Sequence, residues 1–114
     1  MSDCLFCGIV DGKINANVVY RDDGIVAFKD IAPKAPVHIL IVPRKHLVSV
    51  SDIAETDRGL IGEIFQVAAR LAREQGIADS GYRVVVNSGA DAGQSVFHLH
   101  YHLLGGRRMK WPPG

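Results

Sequence analysis

Long apolar runs, an excess of charge and a stock of cysteines are all missing from this 114-residue chain. The longest strongly apolar stretch lies within "HILIVP", far too short to span a bilayer. Thirteen basic against twelve acidic side chains leave a net charge of +1, which excludes a broad footprint for nucleic acid or an anionic membrane. A small anion held by local groups stays compatible. The opening "MSDCLFCG" has no basic segment followed by an apolar run, so no secretory leader is expected. Two cysteines cannot build a disulfide framework, and in a reducing compartment Cys4 and Cys7 are thiols or metal ligands. The chain reads as soluble and cytoplasmic. With 47% hydrophobic residues it suits one compact domain over residues 1–114.

Asp3 is a candidate cap for a short helix through "CLFCGIVDG", with Gly12 near its end. Two strand-like runs follow, "NVVY" and "IVAFKD", around the turn signal "RDDG". "APKAP" interrupts regular structure, and "HILIVP" reads as a buried strand closed by Pro43. From about Asp57 to Gln75 the period becomes helical. Leu60, Ile61, Ile64, Phe65, Ala68, Leu71 and Ala72 form the expected apolar stripe, with Thr56 as cap and Gly76 as stop. "YRVVVN" is then a strand, and "SGADAGQS" a glycine-rich loop before "SVFHLHYHLL". These elements predict an α+β fold: a five-stranded antiparallel sheet, one long helix and a short N-terminal helix.

That last stretch carries the chemistry. Read as a strand, it sends His98, His100 and His102 to one face and Leu99, Tyr101 and Leu103 to the other. A single metal held by all three is opposed by geometry. At ~3.3 Å per residue, His98 and His102 start roughly 13 Å apart, whereas Zn–N bonds are only ~2.0–2.1 Å. A histidine nucleophile with helpers fits better. Neutral imidazole attacks phosphorus near pH 7 and leaves readily when protonated. His100 is the central candidate, and His102 can bind or protonate an anionic substrate. In the preceding loop Gly93 lets a backbone amide approach, while Gln94 and Ser95 bring donors for phosphoryl oxygens.

The motif His98-Leu99-His100-Tyr101-His102-Leu103-Leu104 resembles the signature of the histidine triad family. Tyr101 departs from it mildly by keeping a polar tip. "YRDDGIVAFKDIAPKAPVHILIVPRKH", "VVVNSGADAGQSVFHLHYHLLGG" and the ending "MKWPPG" resemble its nucleotide-binding (Hint) branch. The resemblance implies hydrolysis of purine nucleoside phosphoramidates by a homodimer, with purine nucleoside monophosphate or phosphoramidate as ligand. It implies that His100 is the nucleophile, that Asn87, Gly93, Ser95 and His102 bind phosphate, and that His38 supports them. It further implies that Asp30 accepts from the ribose, and that Leu5, Phe6, Ile9, Phe28 and Ile31 line the base slot. Trp111, in a tail after Gly105-Gly106, is implied to reach the partner's site. Taken singly, Asn87 reads as a strand end, Asp30 as a turn before Pro33, and His38 as structural.

Cys4-Leu5-Phe6-Cys7 has the spacing of half a tetrahedral zinc site, and reads equally as two reduced thiols at a helix start. His46 and His98 are the candidate remaining ligands. Similar Cys-Cys-His-His sites occur in some bacterial histidine triad proteins, whereas animal Hint proteins lack the cysteines. Such a zinc would be structural, with no cofactor required for catalysis. Two competing functions remain. One is dinucleoside polyphosphate hydrolysis, against which the short "GGRRMKWPPG" ending weighs; the other is purine nucleotide sensing without turnover.

Overall fold

The structure, a computed structural model, describes residues 4–114. Helix α1 (Leu5–Val10) is capped by Cys4, whose sulfur accepts the Cys7 N–H at 3.3 Å. The expected cap Asp3 lies outside the described residues. Strands β1 (Val18–Arg21), β2 (Ile25–Lys29), β3 (Val37–Pro43), β4 (Tyr82–Val86) and β5 (Tyr101–Gly105) form one antiparallel sheet. Their order is β1-β2-β3-β5-β4, so β3 and β5 meet at the centre. "RDDG" turns because the Asp22 carboxylate accepts the N–H groups of Gly24 and Ile25, each at 2.8 Å.

Strand alternation divides the sheet into two faces. Ile25, Ala27, Ile39, Ile41 and Leu103 pack under helix α2 (Arg58–Glu74), which buries Ile64, Val67, Ala68, Leu71 and Ala72 against them. Val26, Phe28, Leu40 and Val42 point the other way, under Phe6, Ile9 and Val10 of α1. A seventeen-residue helix covers the first face, but only six residues of α1 cover the second. The opening beside α1 is where the histidines emerge. No described helix is long and apolar enough to cross a membrane.

Three local expectations need correction. Thr56 does not cap α2; it lies in a single 3-10 turn, Glu55–Asp57, and the cap position is Asp57. The Asp57 carboxylate accepts from the Ala54 N–H at 2.9 Å and from Lys45 Nζ at 2.7 Å. Phe65, placed in the apolar stripe, is 50% exposed, while Val67, outside that stripe, is buried. Strand pairing in the histidine segment starts only at Tyr101. Residues 98–100 run outside the ladder, tied by the Leu99 N–H to Leu47 O at 2.6 Å. The alternation of faces nevertheless holds, with Leu99, Tyr101 and Leu103 all in the α2 core. Gly76, at φ +75°, ends α2 as expected.

Candidate active site

Beside α1 lies a cavity of about 320 Å³. Leu5, Phe6, Ile9, Phe28 and Ile31, expected as an apolar slot, all line it, as do Asp30, Ser95, His100 and His102. Ile14, Asn15, Ala16, Lys29, Leu40 and Val96 complete its walls and were not anticipated. Leu40 was legible, since alternation from His38 puts it on the same face. Ile14 and Ala16 sit in a connection with no period to read. A separate groove of about 330 Å³ between β1 and α2 contains none of the expected residues.

Hydrogen bonds to the backbone fix which nitrogen of each histidine carries a proton. His100 Nδ1 lies 2.7 Å from the carbonyl of His98, which can only accept. Nδ1 therefore holds the proton, and Nε2 keeps its lone pair. His38 Nδ1 accepts the Lys34 N–H at 3.0 Å, so its Nε2 carries the proton and donates to His102 Nδ1 at 2.9 Å. That leaves the His102 proton on Nε2. Phe6 packs edge-on against the His100 ring, with centroids 5.0 Å apart.

Burial pushes the pKa of His102 down to about 4, with the neighbouring His100 and His38 rings adding to it and Asp30 opposing. Burial, aided by Lys34 and opposed by Asp30, also lowers His38. Both rings are thus neutral near pH 7, as a single shared hydrogen bond requires. The 3.4 Å contact between His38 Nε2 and Asp30 Oδ2 is accordingly not an ion pair. Asp30 spends its other oxygen on the Ala32 N–H at 2.8 Å, so it makes the expected turn and still borders the cavity.

Cys4, Cys7, His46 and His98 converge at the N-terminus of α1, with ligand atoms all within 4.8 Å of one another. His98 Nδ1 lies 3.4 Å from Cys4 Sγ, 3.5 Å from Cys7 Sγ and 3.1 Å from His46 Nδ1. Cys7 Sγ lies 3.2 Å from His46 Nδ1. A tetrahedron on ~2.0–2.3 Å bonds has edges of about 3.3–3.8 Å, close to these spacings. His98 Nε2 donates to Pro43 O at 2.8 Å, freeing Nδ1 as a ligand, which is the outer hydrogen bond that metal-binding histidines use. Asp30, His38 and His102 also approach one another. There the two rings are joined by the hydrogen bond from His38 Nε2 to His102 Nδ1.

The glycine-rich loop differs from expectation. Gln94 offers nothing to a ligand: its Oε1 accepts from the Gly89 N–H, and its Nε2 donates to Val48 O and Val96 O. The Gly93 N–H is likewise spent, on Ala90 O at 2.9 Å, although φ +83° does require a glycine there. Gln94 is the brace of the loop, and Ser95 is its exposed donor at the cavity. Asn87 does not line the cavity, but follows Val86, which pairs with Tyr101. Trp111 is 80% exposed and lies outside this chain's cavity, with the Arg83 guanidinium 5.9 Å from its ring centre.

A family model described as HIT domain matches residues 11–109. An uncharacterized HIT-like protein of Synechocystis is 46% identical over 112 residues, spanning 98% of this chain and 97% of that protein. The crystal structure of a HIT family hydrolase from Legionella pneumophila is similar at a TM-score of 0.97 and 48% identity, over 98% of this chain and 100% of that one. A zinc-bound histidine triad family protein from Mycobacterium smegmatis is similar at a TM-score of 0.80 and 32% identity, over 93% of this chain and 76% of that one.

Proposed function

Because the chain belongs to the HIT domain family, we propose that it is a nucleotide hydrolase that cleaves purine nucleoside phosphoramidates through His100. The observation that carries this reading is the 2.7 Å bond from His100 Nδ1 to the His98 carbonyl, beside an apolar slot. It leaves Nε2 as the nucleophile. The Nε2 lone pair attacks the α-phosphorus, a P–N bond to His100 forms, and the substrate's own P–N bond breaks. The leaving amine takes its proton from solvent. The phosphorylated imidazole is cationic and is stabilised by the His98 carbonyl. Water then attacks phosphorus and gives up a proton to solvent, the His100 P–N bond breaks with its electron pair returning to Nε2, and the neutral ring and the nucleoside monophosphate are released. His102, neutral near pH 7, donates its Nε2–H to charge on the phosphoryl oxygens, joined by Ser95 and Asn87. Asp30 accepts from the ribose, and the base lies among Leu5, Phe6, Ile9, Phe28 and Ile31.

Cys4, Cys7, His46 and His98 are the residues that would hold zinc. With four protein ligands such an ion would have no open position, so it would supply structure rather than reaction chemistry. The working unit in this reading is a homodimer. Its support is the sheet edge: β4 is a terminal strand with Val84, Val85 and Val86 only half-buried, and Phe65 and Trp111 are exposed. Unpaired apolar edges of this kind favour a partner.

Turnover of adenosine 5′-phosphoramidate against diadenosine polyphosphates tests the substrate class. We expect kcat/KM for the phosphoramidate to exceed the others by about a hundredfold or more, roughly 2.7 kcal/mol of transition-state preference. Equal or reversed values would move the chain to polyphosphate hydrolysis.

A further inference from the structure

An apolar slot holds a base by contacts that have no direction, so it cannot tell one base edge from another. Discrimination needs a hydrogen-bonding group that the wrong base leaves unpaired. The polar residues bordering the cavity are Asn15, Lys29, Asp30, Ser95, His100 and His102. Ser95, His100 and His102 stand at the phosphate end in the reading above, and Asp30 is beside His38. Phe28 faces α1, so alternation directs Lys29 to the α2 face, where it borders a separate small cavity with Ile39 and Gln75. Asn15 alone remains among the apolar walls.

Its backbone is fastened on both sides. The N–H groups of Lys13 and Ile14 both donate to Gly8 O, at 2.8 and 3.1 Å. Ile14 packs so closely that a Cβ on Gly8 would stand 2.5 Å from its Cδ1. Ala16 packs into the Phe6–Phe28 cluster, and Asn17 O accepts the Lys29 N–H at 3.0 Å. Asn15 is exposed at the cavity's edge, so its carboxamide is free to meet a molecule bound there. A carboxamide offers one donor edge and one acceptor, the pair that matches an adenine N6–H and an adjacent ring nitrogen.

Resting on the nucleotide reading of this cavity, we propose that Asn15 is the specificity residue that reads the group at position 6 of a purine base. It positions the base and takes no part in the phosphoryl steps. The test compares AMP, purine riboside 5′-monophosphate (which lacks the 6-amino group) and ribose 5-phosphate by calorimetric titration. Wild type binds AMP about fivefold to tenfold tighter than purine riboside monophosphate, the loss expected for one or two missing hydrogen bonds. In Asn15→Ala, and in the volume-matched Asn15→Leu, AMP weakens to within about twofold of purine riboside monophosphate. For adenosine 5′-phosphoramidate both variants raise KM by about fivefold or more and change kcat by less, the split expected of a residue that binds the base and does not act on the phosphoryl group. If both variants keep the wild-type preference, or wild type has none, the assignment of Asn15 is overturned while the nucleotide site stands. If wild type binds neither nucleotide better than ribose 5-phosphate, the base slot itself is wrong and Asn15 falls with it.

Discussion

His102 shows how one proton decides a residue's role. A His102 protonated at pH 7 would be a cationic acid; with its pKa near 4 it is a neutral donor whose orientation is set by His38. Removing that donor in His102→Ala should lower kcat about 10²–10³-fold, with little change in AMP affinity, in steady-state assays of the phosphoramidate. The same shift makes stability depend on pH. The unfolded ring takes its proton near 6.5 and the folded ring only near 4, so the unfolded state binds more protons between them. Stability from this residue is complete above 6.5 and falls as pH drops toward 4. His38, lowered in the same direction, adds to the fall. Urea midpoints from pH 7 to 4.5 should therefore drop more steeply in wild type than in His102→Gln, and equal slopes would contradict the neutral dyad. The identity of the triad was legible from strict alternation. The tautomers were not, because they depend on Lys34 and His98 backbone groups that no side-chain pattern reports.

Helix α1 joins two sites in six residues. Cys4 and Cys7 point it at His46 and His98, while Leu5, Phe6 and Ile9 form a wall of the cavity beside it. A helix this short has little stability of its own, so tertiary attachment decides whether it persists. Purified protein should carry about one zinc per chain, and Cys4→Ser with Cys7→Ser should lose it. The loss should lower Tm by roughly 10 °C or more and raise KM more than it lowers kcat. Metal analysis and thermal scans with and without chelator measure this; a metal-free protein whose Tm ignores added zinc would remove the ion from the account. The cysteine spacing suggested the half-site and His46 and His98 were its candidate partners in the sequence; what the fold adds is their convergence, with all four ligand atoms within 4.8 Å of one another. α2 was read nearly to its ends, Asp57–Gln75 against Arg58–Glu74. Phe65 misled because a helical stripe does not show where the core stops, and here its ring meets the edge of Tyr101 at the rim. Gln94 misled for a different reason: a loop side chain can spend its polar atoms on the loop itself.

At the scale of the whole molecule, His38 and His102 sit at the sheet centre, where β3 and β5 pair, and the β4 edge lies open. The tail leaves β5 through Gly105-Gly106, where φ +90° and the nearby Pro36 ring demand glycine at 106. Arg107 Nε then donates to Lys34 O at 2.9 Å, and Trp111 stays in the open. If the exposed Trp111 completes a partner's site, deleting residues 107–114 should leave a dimer by sedimentation. It should also change the relative kcat/KM among phosphoramidates of different amines by about tenfold, the effect of losing one or two good contacts. Unchanged ratios would make the tail irrelevant to the leaving group. The central claim is that His100 Nε2 takes the nucleotidyl group. Its direct measurement is rapid quenching, under alkaline conditions that preserve a phosphoramidate bond, of enzyme turning over adenosine 5′-phosphoramidate, followed by peptide mass spectrometry. An added adenylyl group is expected on the peptide containing His100 and absent from His100→Ala, whose turnover should fall about a thousandfold or more. An unmodified His100 throughout single turnover, or a variant that still hydrolyses the substrate at near wild-type rate, would contradict it.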